Sequence, residues 1–332
     1  MKPRVLFVAL AILSVLVAAC AGPAPQASQP AKPLRVAVIM PSATTDYAFS
    51  QSMWSALKKV QEEMGGESKM ELKYSENMFK VPDAAAAIRD YASQGFDIVI
   101  AHGSQYVASA GEIAKDFPNV TFVWGTDVKT FDLPNVYAYT PAAEEGGYVQ
   151  GVMAAMMTKN GLIGITGPVE VGDAKAYVNG FEQGVKAVNP NIKINKTWTG
   201  SFSDVALMTE AAKTHIAAGA DVLTGSSQSA VGSINAAKEK GDVLWFGLQS
   251  DQAPLAPKNV VSCVVYDWAP MLKEVIAARQ AGQPGGKVFV LRLKDGGLKV
   301  VMNPEVAVPA EVKKAAEEAV EGIQNGTIKV TP

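Results

Sequence analysis

The chain has 332 residues, 48% of them hydrophobic and 19% charged, which is enough apolar material for a large core and for two lobes rather than one small domain. With 30 basic against 32 acidic side chains the net charge is −2, which offers a nucleic acid no attraction. Two cysteines and two histidines exclude a disulfide-dense fold and give no spaced cluster for a metal, so neither metal nor cofactor is expected.

At the N-terminus Lys2 and Arg4 make a short basic start, "VLFVALAILSVLVAA" is an apolar run of fifteen, and small residues precede Cys20. That run is shorter than the roughly 20 residues needed to span a bilayer, so residues 1–19 read as an export signal. Val17-Ala18-Ala19-Cys20 resembles a bacterial lipobox, which implies a lipid on the Cys20 thiol and a membrane anchor. Loss of Lys2 and Arg4 would take the basic count to 28 against 32 acidic side chains. The following "AGPAPQASQPAKP" is rich in Pro, Ala and Gln, and residues 20–33 are expected to be a disordered tether. Cys263, in "VVSCVVY", reads as a small buried hydrophobe.

From Leu34 onward, short apolar runs alternate with longer amphipathic ones. Strands are expected at "LRVAVIM", "MELKYSE", "DIVIAHG", "VTFVWGT", "VYAYT", "LIGITG", "IKINKTW", "DVLTGS", "VLWFGL" and "VVSCVVY". Most are separated by helical patterns, as where Met53, Leu57, Val60 and Met64 share one face. Continuous apolar strands alternating with helices predict an α/β fold with parallel sheets covered on both faces. "YASQGFDIVIAHGS" and "HIAAGADVLTGSSQ" echo each other: a helix end, a glycine, Asp, a strand, then Gly-Ser. Gly95 and Gly219 are expected in the left-handed conformation that closes a helix. The echo and the length favour two similarly built lobes.

Ligands of open α/β sheets gather outside the carboxyl ends of the strands, where helix N-termini aim their N–H groups. Those ends carry Asp46, Phe49, His102, Asp127, Glu170, Trp198, Phe202, Ser226, Gln228, Gln249, Asp251, Asp267 and Trp268. Aromatics and carboxylates dominate.

"DYAFSQSMW" resembles the Asp-x-Ser-Phe-Asn-Gln segment of the basic membrane protein family, the purine-nucleoside receptor lipoproteins of ABC importers. "EEGGYVQGVMAA", "VNGFEQGVKAVNP", "GSFSDVALMTEAAKTHIAAGADVL" and "FGLQSDQ" resemble the same family, in order, from about Leu34 to the C-terminal helix. The resemblance implies the type I periplasmic-binding-protein fold: two Rossmann-like lobes, a hinge crossed three times and a ligand held between the lobes. Crossings near "YTPA", "SDQAP" and "QPGGK" would divide the chain into residues 34–139 with about 252–283 and residues 140–251 with about 284–332.

The implied ligand is a purine nucleobase or nucleoside, the implied partners are ABC permease subunits, and the implied role is capture and delivery rather than catalysis. Phe49 matches the family's first stacking aromatic; Phe202 is the candidate for the second, with Trp198 its rival. Two opposed aromatic faces hold any nucleobase, each stack contributing about 1–3 kcal/mol. Discrimination would come from carboxylates accepting ring N–H groups, for which Asp127, then Asp251 and Asp46, are the candidates, with Asp267 and Trp268 nearby. Ala48 and Ser50 stand where the family has Ser and Asn, and Tyr266 stands where its nucleoside receptors carry a ribose-binding lysine. "YDWAP" instead resembles a subgroup linked to free nucleobases, which tilts the reading toward a base or related flat heterocycle.

Each side chain also has a plainer reading. Phe49 could pad the core, Asp127 and Asp251 could be turn or N-cap residues, Asp267 could cap the helix opened by Ala269-Pro270, and Trp268 could pack on the lobe surface. Trp54, Trp124 and Trp245 read as core, and His102 as a capping or solvent-facing residue. Two other functions compete: a receptor of the same fold for a sugar-like signal feeding a sensor, and a nucleoside-processing enzyme. For the enzyme, the chain has no aspartate cluster near the first strand, no Gly-x-Ser-x-Gly and no P-loop.

Overall fold

The computed structural model describes residues 32–332. The export signal, Cys20 and nearly all of the expected tether lie outside the described residues.

The chain opens with β1 (Leu34–Ile39), α1 (Phe49–Glu63), β2 (Met70–Ser75), α2 (Val81–Ser93) and β3 (Ile98–His102). It continues with α3 (Val107–Asp116), β4 (Thr121–Gly125) and β5 (Val136–Pro141). A second series follows: α4 (Ala143–Met157), β6 (Leu162–Gly167), α5 (Gly172–Val188), β7 (Lys193–Trp198), α6 (Val205–Ala217), β8 (Val222–Gly225), α7 (Val231–Lys240), β9 (Leu244–Gln249) and β10 (Val260–Tyr266). The chain then runs through α8 (Ala269–Gln280), β11 (Val288–Leu291), β12 (Leu298–Met302) and α9 (Ala310–Gln324).

Two six-stranded sheets result, in the orders β11-β5-β4-β3-β1-β2 and β12-β10-β9-β8-β6-β7. All neighbours pair in parallel except β10 and β12, which are antiparallel. The α/β architecture with parallel sheets is therefore as the sequence pattern implies. Val36 to Ile39 and all of β3 and β4 are buried on both faces, which is why these strands read as unbroken apolar runs. Met53, Leu57 and Val60 bury one stripe of α1 against the first sheet. Gly95 and Gly219, at φ +75° and +100°, turn the chain out of α2 and α6 in the left-handed region where a Cβ would be strained. Trp124, Trp245 and Cys263 are buried core residues, whereas Trp54 is only partly buried and packs obliquely on Tyr74.

The sheets divide the chain differently from the Pro and Gly interruptions. β10 belongs to the second sheet, between β9 and β12, and β11 to the first, beside β5. The first passage between sheets runs through Ala142; the others fall between Tyr266 and Ala269 and between Leu291 and Leu298, rather than at "SDQAP" and "QPGGK". Those two stretches are turns within a lobe, because Pro and Gly mark a chain reversal and not which sheet the next strand joins. Lobe 1 thus holds β1–β5, α8 and β11; lobe 2 holds β6–β10, β12 and α9.

Side chains at the end of β9 hold the β1–α1 corner of the opposite lobe. Ser250 Oγ donates to the Ala48 carbonyl at 2.7 Å, and Gln252 Nε2 donates to the Tyr47 carbonyl at 3.1 Å. Gln252 is itself fixed by the Trp245 indole, whose Nε1 donates to its Oε1 at 2.8 Å.

Candidate functional site

The strand ends of the two sheets face each other across a cleft. Phe49, Phe79, Ser104, Gln105 and Thr126 line it from lobe 1, and Pro168, Asp173, Phe202, Ser226, Ser227, Gln228 and Gln249 from lobe 2. In this conformation its cavity is about 30 Å³, room for a water or two, so a ring-sized ligand requires the lobes to part.

Phe49 is the first residue of α1, and its position is set by the corner before it. Asp46 accepts from the N–H groups of Ala48 at 2.8 Å, Gln51 at 3.0 Å and Ser50 at 3.1 Å, and from the Ser42 hydroxyl. The carboxylate therefore satisfies the orphan donors of the first helical turn. Burial pushes the Asp46 carboxyl up, and the Ser42 hydroxyl and these N–H groups only partly offset it. With its acceptors spent on the backbone, Asp46 positions the corner and does not line the cleft.

Beneath Phe49 lies His102, with ring centroids 3.7 Å apart and planes 10° from parallel. Its Nε2–H donates to the Phe49 carbonyl at 3.0 Å, and its Nδ1 accepts from the Tyr139 hydroxyl at 2.6 Å. Burial lowers the His102 pKa to about 3, so the imidazole is neutral with its tautomer fixed by these two bonds. It neither caps a helix nor meets solvent; it backs one face of Phe49, leaving the other face as what the ring offers the cleft. Trp268 closes the rear, fully buried, edge-on to Phe49 and His102, with its Nε1 donating to Ser52 Oγ at 2.9 Å. It supports the stack from behind rather than lining the cleft.

In lobe 2, Phe202 lines the cleft, and its carbonyl accepts from Ser227 Oγ and Ser229 Oγ, both at 3.1 Å. Trp198 is half-buried and lies over Gly167, where a Cβ would come within 2.2 Å of the indole. Of the two rivals, Phe202 is in the lining and Trp198 is not. Three expected carboxylates also face elsewhere. Asp127 accepts from the N–H groups of Val128 at 2.6 Å and Lys129 at 3.2 Å, closing its own turn. Asp251 accepts from Ala253 N–H at 3.0 Å on a separate hinge-side groove of about 320 Å³. Asp267 borders the same groove, accepting from Ala269 N–H at 3.0 Å and from Lys299 Nζ at 2.6 Å. Burial would raise the Asp267 carboxyl, but Lys299 and the Ala269 N–H outweigh it and hold it below the usual range.

The carboxylate that does line the cleft is Asp173, in the first turn of α5. Gly172 precedes it at φ +54°, and that left-handed step sets the Asp173 side chain opposite Thr126 of lobe 1. Thr126 Oγ1 donates to Asp173 Oδ1 at 3.4 Å and the Tyr266 hydroxyl to Oδ2 at 3.3 Å. Both contacts are slack beside the usual ~2.7 Å for a hydroxyl donor. Burial pushes the Asp173 carboxyl up, against the pull of Gln249, Tyr266 and Thr126. Gln249 holds φ +76°, a left-handed conformation costly for a side chain of its size, as residues over-determined by a functional site often do. Gln228 Oε1 is sealed from solvent without a hydrogen-bond partner. Sequence reading passed over Asp173, Thr126, Phe79 and Gln105; the Gly-Asp step after β6 is the signal that could have found Asp173.

The family described as "ABC transporter substrate-binding protein PnrA-like" (Bmp) matches residues 34–331. A purine-binding protein of Brucella abortus is 32% identical over 295 residues, covering 89% of this chain and 82% of that protein. The ABC transporter nucleoside-binding protein BmpA of Lactococcus lactis is 28% identical over 357 residues, 99% of each chain. An ABC transporter solute-binding protein of Conexibacter woesei superposes with a TM-score of 0.74 at 24% identity, over 90% of this chain and 98% of that one. The match extends through both lobes, and the chain belongs to the basic membrane protein family of ABC transporter substrate-binding proteins.

Proposed function

We propose that this substrate-binding protein captures a purine base or nucleoside, with Phe49 as one stacking face and Phe202 as the other. The observation that carries the reading is the Phe49 ring, backed at 3.7 Å by a neutral His102 and bordering the cleft between the lobes. A flat polarisable heterocycle is the ligand such a wall suits, and each stack contributes about 1–3 kcal/mol. The purine-binding relative at 32% identity supports the same ligand class. Closing of lobe 2 over the base would expel water and strengthen the polar contacts at its edge.

Substrate-binding proteins of this kind act outside the cytoplasm and hand a small ligand to a permease; a lipid on Cys20 would hold this one at the membrane. Among the described residues no helix is long and apolar enough to cross a membrane. Calorimetry against a panel of bases, nucleosides and sugars tests the reading: a purine should bind, and a panel in which only sugars bind would refute it. Accumulation of free base from a nucleoside during the titration would point to an enzyme instead.

A further inference from the structure

The cleft wall of lobe 2 contains two acceptors whose hydrogen bonding the protein leaves unfinished. Asp173, half-buried at the cleft, holds its two hydroxyl donors at 3.3 and 3.4 Å with the Gln249 side chain beside them, although a carboxylate has about four lone-pair sites to fill. None of the ion pairs among the described residues involves it. Gln228 Oε1, on the loop after β8, is buried with no partner at all. An unmade hydrogen bond at a buried acceptor is costly, and a ligand donor is what removes the cost. A ligand anion would be repelled by Asp173, and a hydroxyl-rich sugar would leave the aromatic wall without a flat partner.

We propose that Asp173 and Gln228 determine specificity by requiring two N–H donors on the edge of a neutral heterocycle, with Asp173 as the principal reader. This rests on the purine reading above and narrows it to bases carrying at least two ring or exocyclic N–H groups. Fully N-alkylated purines are shut out.

Three other side chains bear on Asp173: Thr126 after β4, Gln249 at the end of β9 and the Tyr266 hydroxyl on β10; Glu144 on α4 acts on Tyr266. Burial and Asp173 itself keep the Tyr266 phenol protonated, so it remains a donor. A ligand N–H bound to Asp173 favours the ionised carboxylate. Affinity should therefore rise with pH through the acid range and level off above it, with a proton released on binding.

The test is calorimetry on the full-length protein with adenine, guanine, unsubstituted purine and caffeine, for wild type, Asp173→Asn, Gln228→Leu and Phe49→Ala. Wild type should bind adenine or guanine better than unsubstituted purine, and caffeine weakest. Asp173→Asn should lose about 10- to 150-fold in affinity for the preferred base and flatten the pH profile, the loss expected for a hydrogen bond to a charged group. Gln228→Leu should lose about 2- to 10-fold. If wild type binds caffeine as well as adenine and guanine, or Asp173→Asn keeps wild-type affinity and pH profile while Phe49→Ala weakens binding, the specificity role is overturned and the purine reading survives. Absence of binding by all four heterocycles overturns both. The ligand series and pH profile on wild type decide the matter even if a variant does not fold.

Discussion

The two walls of the cleft are built on opposite principles. On the lobe 1 side, Phe49, His102, Tyr139 and Trp268 form a stack in which every buried polar atom named above has a partner: His102 binds the Phe49 carbonyl and the Tyr139 hydroxyl, and Trp268 binds Ser52. On the lobe 2 side, the two hydroxyl contacts of Asp173 are slack and Gln228 Oε1 has no partner. A finished apolar wall is suited to hold many flat ligands; an unfinished polar wall is suited to choose among them, because the wrong ligand leaves its acceptors unpaired.

The largest expected effect tests whether the lobe 1 wall is prebuilt. His102 is neutral in the fold, with a pKa of about 3, against an ordinary value of 6.5. Below 6.5 the unfolded chain takes up the proton first, so the stability present above that pH is lost as pH falls toward 3, by up to about 1.4 kcal/mol per unit. Urea midpoints from pH 7 to 4 should show this slope in wild type and a shallower one in His102→Gln. His215, also buried and lowered, contributes equally to both proteins. Equal slopes would show that the imidazole is not sealed behind Phe49.

Next in size, Phe49→Ala should cost about 1–3 kcal/mol of purine affinity, the usual value of one stacking face. Unchanged affinity would make the ring core padding and dissolve the contrast between the walls. Asp46→Ala, which removes the acceptor of three backbone N–H groups, should cost about 0.5–2 kcal/mol of stability by thermal or urea unfolding. A purine affinity loss larger than that of Phe49→Ala would place Asp46 in the site itself. The smallest effects belong to Asp127→Ala and Asp251→Ala: both carboxylates close local turns outside the lining, so purine affinity should shift by less than about 0.5 kcal/mol.

Much of the fold is written plainly in the chain. All ten expected strands form; β1, β3 and β4 are legible because a parallel strand covered on both faces is an unbroken apolar run, whereas the edge strands β2 and β7 are polar-rich and mostly not buried. β11 and β12, the edge strands of the two sheets, were not expected: "VFVL" is an apolar run of only four residues, and only Phe289 and Leu291 of it are buried. The lobe assignments of β10 and β11 depend on sheet partners, which no local pattern encodes. In the cleft, Phe49 and Phe202 were legible through the resemblance of "DYAFSQSMW" and "GSFSD" to the family's segments, not through their residue type alone, and both line it. The carboxylates were not. Asp127, Asp251 and Asp173 all follow strands; only the backbone decides which of them folds onto its own turn and which reaches the cleft. Asp173 also looks like an ordinary acidic residue in a helix's first turn, where the dipole favours it.

The hydrogen bonds from Ser250 and Gln252 to the Ala48 and Tyr47 carbonyls carry a mechanical consequence. They join the two lobes immediately beside Phe49, so a swing of lobe 2 that preserves them has its fulcrum at that corner. The Phe49 ring then lies on the short arm of the lever and keeps its place, while Phe202 and Gln228 travel on the long arm. A ligand arriving at the open cleft would meet a seat already in position and wait for lobe 2 to come down on it.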